Sequence, residues 1–438
     1  MVWLINLLFV VLLVVVIVAW VLLPWPGAVL LAVLLAAWLW GTRRGGQTRS
    51  VAAVGLSTLT QRLGASAVIV IGIAGVVGVL VALLAMAEGY RQTVRATGSE
   101  DTAIVMRGGS AAEVNSVLDR NSATLVAQAR GIARNAAGEP IISTEIVVAA
   151  NLPVAGGAPD EEGSVQFRGV GPRVFELRPQ VRIVAGRAMQ PGLRELLVGR
   201  GAAHQFAGMA PGQEVRLGAT RWTVVGVFES GDALASEIWG DANVVADAYR
   251  RGSSRSAVTV KLESPQALQT LRDDLAANPQ LQVEATTTQA YFAKQSEGVT
   301  KVLTVIGIAV GSIMAIGAAF GALNTMFAAV AARAREIATL RAIGFPGLPV
   351  VVAVLLETML LAAIGGLAGG LVAWLLFNGF QASTLAAGSV GQLNFQLRVT
   401  PELLWTGLRW ALAIGFVGGL FPALRAARLP VTAALREL

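Results

Sequence analysis

Six stretches of this chain contain no Asp, Glu, Lys or Arg: residues 1–42, 63–87, 302–332, 342–356, 358–397 and 410–424. Apolar runs of about 20 residues match the hydrocarbon thickness of a bilayer, and no ordinary soluble core hides so many of them. With 55% of its residues hydrophobic and 14% charged, the chain is constrained first by a membrane. The segment from Glu88 to Glu297 is different, because it holds most of the acids, many arginines and alternating apolar patterns. At about 200 residues it is long enough for a core of its own. The expected fold is an α-helical transmembrane bundle, four core spans plus an N-terminal membrane hairpin, with one large α+β extracytoplasmic domain.

Residues 3–23 make one apolar run, and "PWPG" at 24–27 breaks it, since proline removes a backbone donor and clashes with the preceding turn. The arm after it, 28–41, is short and either spans or re-enters. Core spans follow at about 65–87, 302–328, 349–377 and 404–424. Lys/Arg bias orients them. Arg43, Arg44, Arg49 and Arg62 stand in the 42–64 loop without an acid, Arg333, Arg335 and Arg341 surround Glu336, and Arg425, Arg428 and Arg436 mark the tail. These three basic segments belong in the cytoplasm, while the large domain and the 379–402 loop, with only Arg398 and Glu402, lie outside. The layout is then 1–41 hairpin, 42–64 cytoplasmic segment, 65–88 first core helix and 89–298 outer domain. It continues with 299–330 second core helix, 331–348 cytoplasmic helix, 349–378 third core helix, 379–402 outer loop, 403–424 fourth core helix and 425–438 tail. Within the second of these segments, "SVAAVGLSTLTQRLGAS" (50–66) reads either as an interfacial helix or as an extension of the next span.

Several function classes drop out. The net charge of +7 comes from arginines beside apolar spans, not from a stripe that would suit nucleic acid. Cysteine is absent, which removes disulfides, thiolate nucleophiles and Cys metal sites. The single histidine, His204, excludes a multi-His metal centre; with no nucleophile motif near it, it is structural or on the surface. The Asp160-Glu161-Glu162 run is a solvated loop, not a metal site. A missing basic n-region argues for retained membrane segments, not a cleaved signal. Strands are expected over 221–230 and 256–264, and a helix over 264–280 capped by Ser264 with Leu268, Leu271 and Leu275 on one face.

Within the membrane, Lys294, Glu297 and Lys301 at helical spacing carry the second core helix outward. Its charge-free part alone would be about 46 Å long, which suits either transmitted displacement or simple tilt. Gly307/Gly311, Gly317/Gly321, Gly366/Gly370 and Gly415/Gly419 have the spacing that lets backbones approach. Glu357 is the one ionisable residue between Arg341 and Arg398, about 12 Å into its helix from Pro349. An intramembrane carboxylate is a functional-site candidate, with Asn324 as its expected partner; Arg409, near the opposite leaflet, is free to snorkel. Between two spans, "AREIATLRAIGF" (334–345) offers Ile337, Leu340 and Ile343 as an apolar face among charges, with Gly344 and Pro346 as its stop.

No G-x-x-x-x-G-K-[ST] phosphate loop occurs, so nucleotide energy, if used, is released on another polypeptide. The stretch "AAVAARAREIATLRAIGFPGLPVVVAVLLETMLLAAIGGLAGGLVA" (328–373) and the ending "FPALRAARLPVTAALREL" (421–438) resemble the permease subunits of MacB/FtsX-type (type VII) ABC transporters. "VQFRGVGPRVFELRPQVRIVAGRAM" and "RWTVVGVFES" resemble that family's periplasmic domain. The resemblance covers most of 50–438; the 1–41 hairpin departs from it.

The resemblance implies a bacterial inner-membrane permease. It would pair with a second copy or a paralogue and dock a cytoplasmic ATPase through Arg335, Glu336, Ile337, Leu340, Arg341 and Gly344. ATP and magnesium would sit on that ATPase, this chain needing no cofactor, and a periplasmic adaptor is a further partner. The expected function is ATP-driven export by mechanotransmission. The alternatives are an FtsX-like scaffold that activates a wall enzyme without transport, and an ion-coupled carrier using Glu357.

Overall fold

The computed structural model describes residues 2–57, 63–158, 161–385 and 391–428, and the chain divides into two compact units. One holds residues 1–85, 303–378 and 398–438; the other holds 86–302 and 379–397. In chain order the N-terminal helices are α1 (Val2–Leu22), α2 (Trp25–Gly41), α3 (Arg43–Ser57) and α4 (Leu63–Ala96). The outer part then runs β1 (Thr102–Arg107), α5 (Arg120–Gln128), β2 (Ile142–Pro153), β3 (Glu162–Val170), α6 (Val174–Leu177), β4 (Arg182–Gly186), β5 (Glu195–Gly199) and α7 (Arg200–Gln205). It continues with β6 (Glu214–Leu217), β7 (Thr220–Glu229), β8 (Ile238–Asp241), α8 (Ala242–Ala248), β9 (Ala257–Lys261), α9 (Ala267–Ala276) and β10 (Val283–Thr287). The chain closes with α10 (Thr288–Ala332), α11 (Ala334–Ala342), α12 (Gly347–Phe377), β11 (Gln381–Leu385), β12 (Gln392–Gln396) and α13 (Pro401–Arg428).

Among the described residues, α4, α10, α12 and α13 are long and apolar enough to cross a membrane. In lipid, helices gain no hydrophobic drive to associate, so close backbone packing at small residues holds them together. Helix α12 uses two glycine stripes. A Cβ at Gly365 would stand 2.8 Å from the Val70 carbonyl of α4, and one at Gly366 2.7 Å from the Ala411 methyl of α13. Gly370 faces Leu404, Gly307 and Gly311 face Leu83 and Leu80, and Gly415 and Gly419 face Ala362 and Thr358. Gly317 and Gly321, by contrast, have nothing within 4 Å of the Cβ position.

The chain bends by 116° between α1 and α2. This N-terminal pair docks on α13: Trp20 Nε1 donates to the Arg409 carbonyl at 3.0 Å, and Arg409 Nη1 donates to the Leu23 carbonyl at 2.9 Å. Arg409 is therefore held by the protein itself. It caps the exposed carbonyl end of α1, where a cation is favoured by both the orphan acceptors and the helix dipole.

The outer unit is built on a ten-stranded sheet in the order β10-β1-β9-β2-β3-β8-β5-β7-β4, with β6 added to β7. Pairing is mixed: β3–β8 and β5–β7 are parallel, and the other pairs are antiparallel. Strand β2 joins two apolar clusters, pairing with β9 at its start and with β3 beyond Ile146. Helices α5 and α9 cover the first cluster through Val126 and Leu271, and α8 covers the second through Val245. Helix α9 starts at Ala267, not at a Ser264 cap; Ser264 gives its carbonyl to the Ala267 N–H, a tighter turn ahead of the helix. The expected outer loop between α12 and α13 is a hairpin belonging to this unit. Asn394 N–H donates to Ser236 Oγ at 2.9 Å, and the Phe395 ring meets Tyr90 edge-on at 5.7 Å.

At the centre of the outer unit lies Arg168 of β3, only 1% exposed. All five guanidinium N–H groups are matched: two bonds go to Glu237, two to Glu113 and one to Glu145. Arg178 donates to both oxygens of Glu145, at 2.7 and 2.9 Å. Burial works against the charged form of Glu145, but Arg178 and Arg168 outweigh it and hold the carboxyl at about 2. Since the folded value lies below the usual carboxylate range, the stabilisation is complete above that range and is lost as pH falls through about 2. Thermal unfolding followed between pH 5 and 2 should therefore show the outer unit weakening progressively, with Glu145→Gln removing much of that slope. A slope unchanged by Glu145→Gln would contradict this origin.

Candidate functional site

The residues between α10 and α12 form a short, separately capped helix. Arg333 leaves helical geometry at φ −104° and ψ 11°, which ends α10 and starts α11. At the far end, Gly344 takes φ +104°, a conformation that side chains disfavour. Its N–H donates to the Arg341 carbonyl, and the Phe345 N–H reaches back to Leu340, both at 3.1 Å. This paired capping satisfies the last carbonyls of the helix, and Pro346 then leads into α12.

The three apolar residues of the 334–345 segment differ in burial. Ile337 is buried, Leu340 is half-buried and Ile343 is 68% exposed. At about 100° per residue, Ile343 stands roughly 120° round from Ile337, and it also lies past the last helical residue. Ile337 and Ala338 thus anchor α11, while Arg335, Glu336, Ile343 and Gly344 are exposed and Arg341 is half-buried.

Arg333, which sequence reasoning placed only in a basic loop, has the central role in the geometry. Its Nη2 lies 2.5 Å from Glu357 Oε1, and both residues are buried. Asn324, the expected partner of Glu357, is exposed on α10 instead. The physical reason is charge: in a low-dielectric setting a carboxylate is compensated far better by a guanidinium than by an amide. Gly55 of α3 sits over the pair, such that a Cβ there would lie 3.0 Å from both Arg333 Nη1 and Glu357 Oε2. Four segments, α3, the end of α10, α11 and α12, therefore meet at one buried ion pair. The arrangement offers no nucleophile or acid–base dyad; it is suited to fixing one helix against others.

Of the remaining sequence candidates, His204 is exposed on α7, and Glu161 and Glu162 are exposed. Asp160 lies outside the described residues, as do 58–62 in the expected 50–66 helix, whose described part begins earlier, at Arg43.

Two family models match the chain. One described as a MacB-like periplasmic core domain covers residues 66–278, and one described as an FtsX-like permease C-terminal covers 308–431. The chain belongs to the MacB/FtsX permease family. Its large domain matches one described as periplasmic, and four of its described helices are long and apolar enough to cross the inner membrane. It is 25% identical over 396 residues to the macrolide export ATP-binding/permease protein MacB 1/2 of Paracoccus denitrificans, covering 84% of this chain and 55% of that protein. It is 26% identical over 184 residues to the uncharacterized ABC transporter permease YknZ of Bacillus subtilis, covering 41% of this chain and 43% of that one. The permease thus spans about half the length of these curated relatives. Among solved structures, the periplasmic region of MacB from Actinobacillus actinomycetemcomitans aligns over 43% of this chain and 90% of its own at 15% identity, with a TM-score of 0.34.

Proposed function

We propose that the permease is the membrane subunit of an ATP-driven export complex and that it works by mechanotransmission. A separate cytoplasmic ATPase, which would carry the ATP and magnesium, grips the exposed side of α11. Displacement passes through the Arg333–Glu357 pair into α12 and through α10, whose 45 residues form one helix starting directly after β10. At 1.5 Å per residue that helix is about 68 Å long, over twice a hydrocarbon core of about 30 Å. The observation that carries this reading is the buried ion pair at the foot of α11, because it ties the short helix rigidly to the bundle. The similarity to the Paracoccus macrolide export protein supports export over the FtsX-like scaffold reading. A second copy of the permease and a periplasmic adaptor complete the proposed assembly.

The test uses exposed residues of α11 and of the turn that ends it, so that the fold is left alone. Ile343→Asp combined with Glu336→Ala should weaken co-purification of the ATPase at least tenfold, as expected when a central apolar contact is lost, with unchanged thermal unfolding of the permease. Undiminished ATPase capture by the double variant would remove the docking assignment. Capture that is lost while a periplasmic hydrolase is still activated would favour the scaffold.

A further inference from the structure

Helix α3 lies outside both family matches, which begin at residue 66 and residue 308. Its buried residues, Gly45, Thr48, Val51 and Gly55, recur at helical spacing, with Gly45 packed on Trp38 and Leu39 of α2 while the helix also runs against α12. The last of them stands over the Arg333–Glu357 pair. Beside the pair, a cavity of about 40 Å³ is walled by Val51 and Val54 of α3, Ile337 and Leu340 of α11, and Val354 of α12. Glycine inside a helix is unfavourable relative to alanine, yet a Cβ at position 55 would press on both members of the pair at 3.0 Å, so a methyl there needs the pair to give slightly and a larger side chain needs α3 or the pair to move.

We infer that α3 is the positioning helix of α11: seated through Gly55 on the Arg333–Glu357 pair, it clamps Ala334–Ala342 against α12 and restricts how far that helix can swing. The contact is backbone against a buried ion pair, so its strength depends on close approach. The pair stays desolvated only while α3 is seated, and desolvation strengthens its attraction. Lifting α3 admits water beside Arg333 and frees α11 at its anchored end. The N-terminal pair α1–α2, tethered through Arg409 to α13, holds α3 from its other end. The significance of the clamp for transmission rests on the proposed coupling role of α11, but the clamp itself does not.

Hydrogen exchange on the full permease in nanodiscs, with no ATPase present, tests it. Gly55→Leu should raise exchange of the 334–342 amides at least tenfold. Gly46→Leu is the control, on the same helix, where the Cβ position meets only Arg49 Nη2 at 4.0 Å; it should change that exchange less than twofold. Protection of β7 in the outer unit should be equal in all three proteins. Exchange at 334–342 that is the same in Gly55→Leu and the parent overturns the inference. So does an equal rise in both variants, since that would report loss of helix α3 and not of its contact. Should Gly55→Leu fail to assemble, Gly55→Ala, with a single methyl against the pair, should give about a threefold rise, and no rise there overturns the inference equally. ATPase binding is not measured, so failure here leaves the docking assignment of α11 standing, and the reverse holds too.

Discussion

Arg168→Met should cost the outer unit about 3–5 kcal/mol, the expected loss when one partner is removed from a buried ion network. The five N–H donors of Arg168 all bond to buried carboxylates, and Arg178 compensates only Glu145. Removing the guanidinium leaves Glu113 and Glu237 desolvated without their cation, although Gln166 and the Trp239 indole still donate to Glu237. Against a typical total stability of 5–15 kcal/mol, the loss should appear as a fall of roughly 10 °C in the unfolding midpoint. Trp239 stacks on Phe228 at 4.4 Å and lies under Arg178, so its fluorescence follows the transition. Arg168→Lys, with three donors on one point charge, should fall between. Adding Glu113→Gln and Glu237→Gln to Arg168→Met should restore part of the loss, since the penalty lies in uncompensated charge more than in missing bonds. A midpoint within about 2 °C of the parent for Arg168→Met would show that the network contributes little.

That network also marks where sequence reasoning stopped. The spans were legible because absence of charge over a bilayer's length is a local property, and the strand at β7 and the helix at α9 showed their own periods. The 334–345 segment was legible for the same reason, being a charged helical pattern between two apolar runs. Glu113, Arg168, Glu145 and Glu237 come from four separate stretches of the chain, and nothing in their spacing announces that the sheet gathers them. The one signal was an arginine within the apolar run "VQFRGV" of β3, a position where charge demands a partner. Arg333 was hidden differently. The break between α10 and α11 contains neither glycine nor proline, so Arg333 read as one of several loop arginines. The hairpin of β11 and β12 gave no two-residue turn signal, and its meaning lies in contacts to Ser236 and Gly201, far away in sequence. Ile343 lies just past α11 and roughly 120° round from Ile337, which is why one is exposed while the other is buried.

The Arg333–Glu357 pair should separate structure from transmission. Arg333→Met leaves a buried carboxylate, and Glu357→Met a buried guanidinium, so each alone should destabilise the bundle by about 3–5 kcal/mol. Both residues are buried, so bulk water does not reach either survivor to offset the loss. The double variant Arg333→Met/Glu357→Met removes both charges and leaves two side chains of suitable volume among Val51, Val330, Ile337 and Ala353. Its stability should return to near the parent value, because replacing a whole buried pair by apolar groups is often neutral or better. Transmission should not return. A thioether contact is non-directional and slides, whereas the 2.5 Å charge-assisted bond fixes the end of α10 to a point inside α12. ATP hydrolysis by the partner would then continue without being matched by work at the outer unit, and the ratio of substrate moved to ATP consumed would drop at least tenfold at near-parent thermal stability. A double variant that recovers both stability and that ratio would reduce the pair to a packing element, and the path of displacement would have to run through α10 alone.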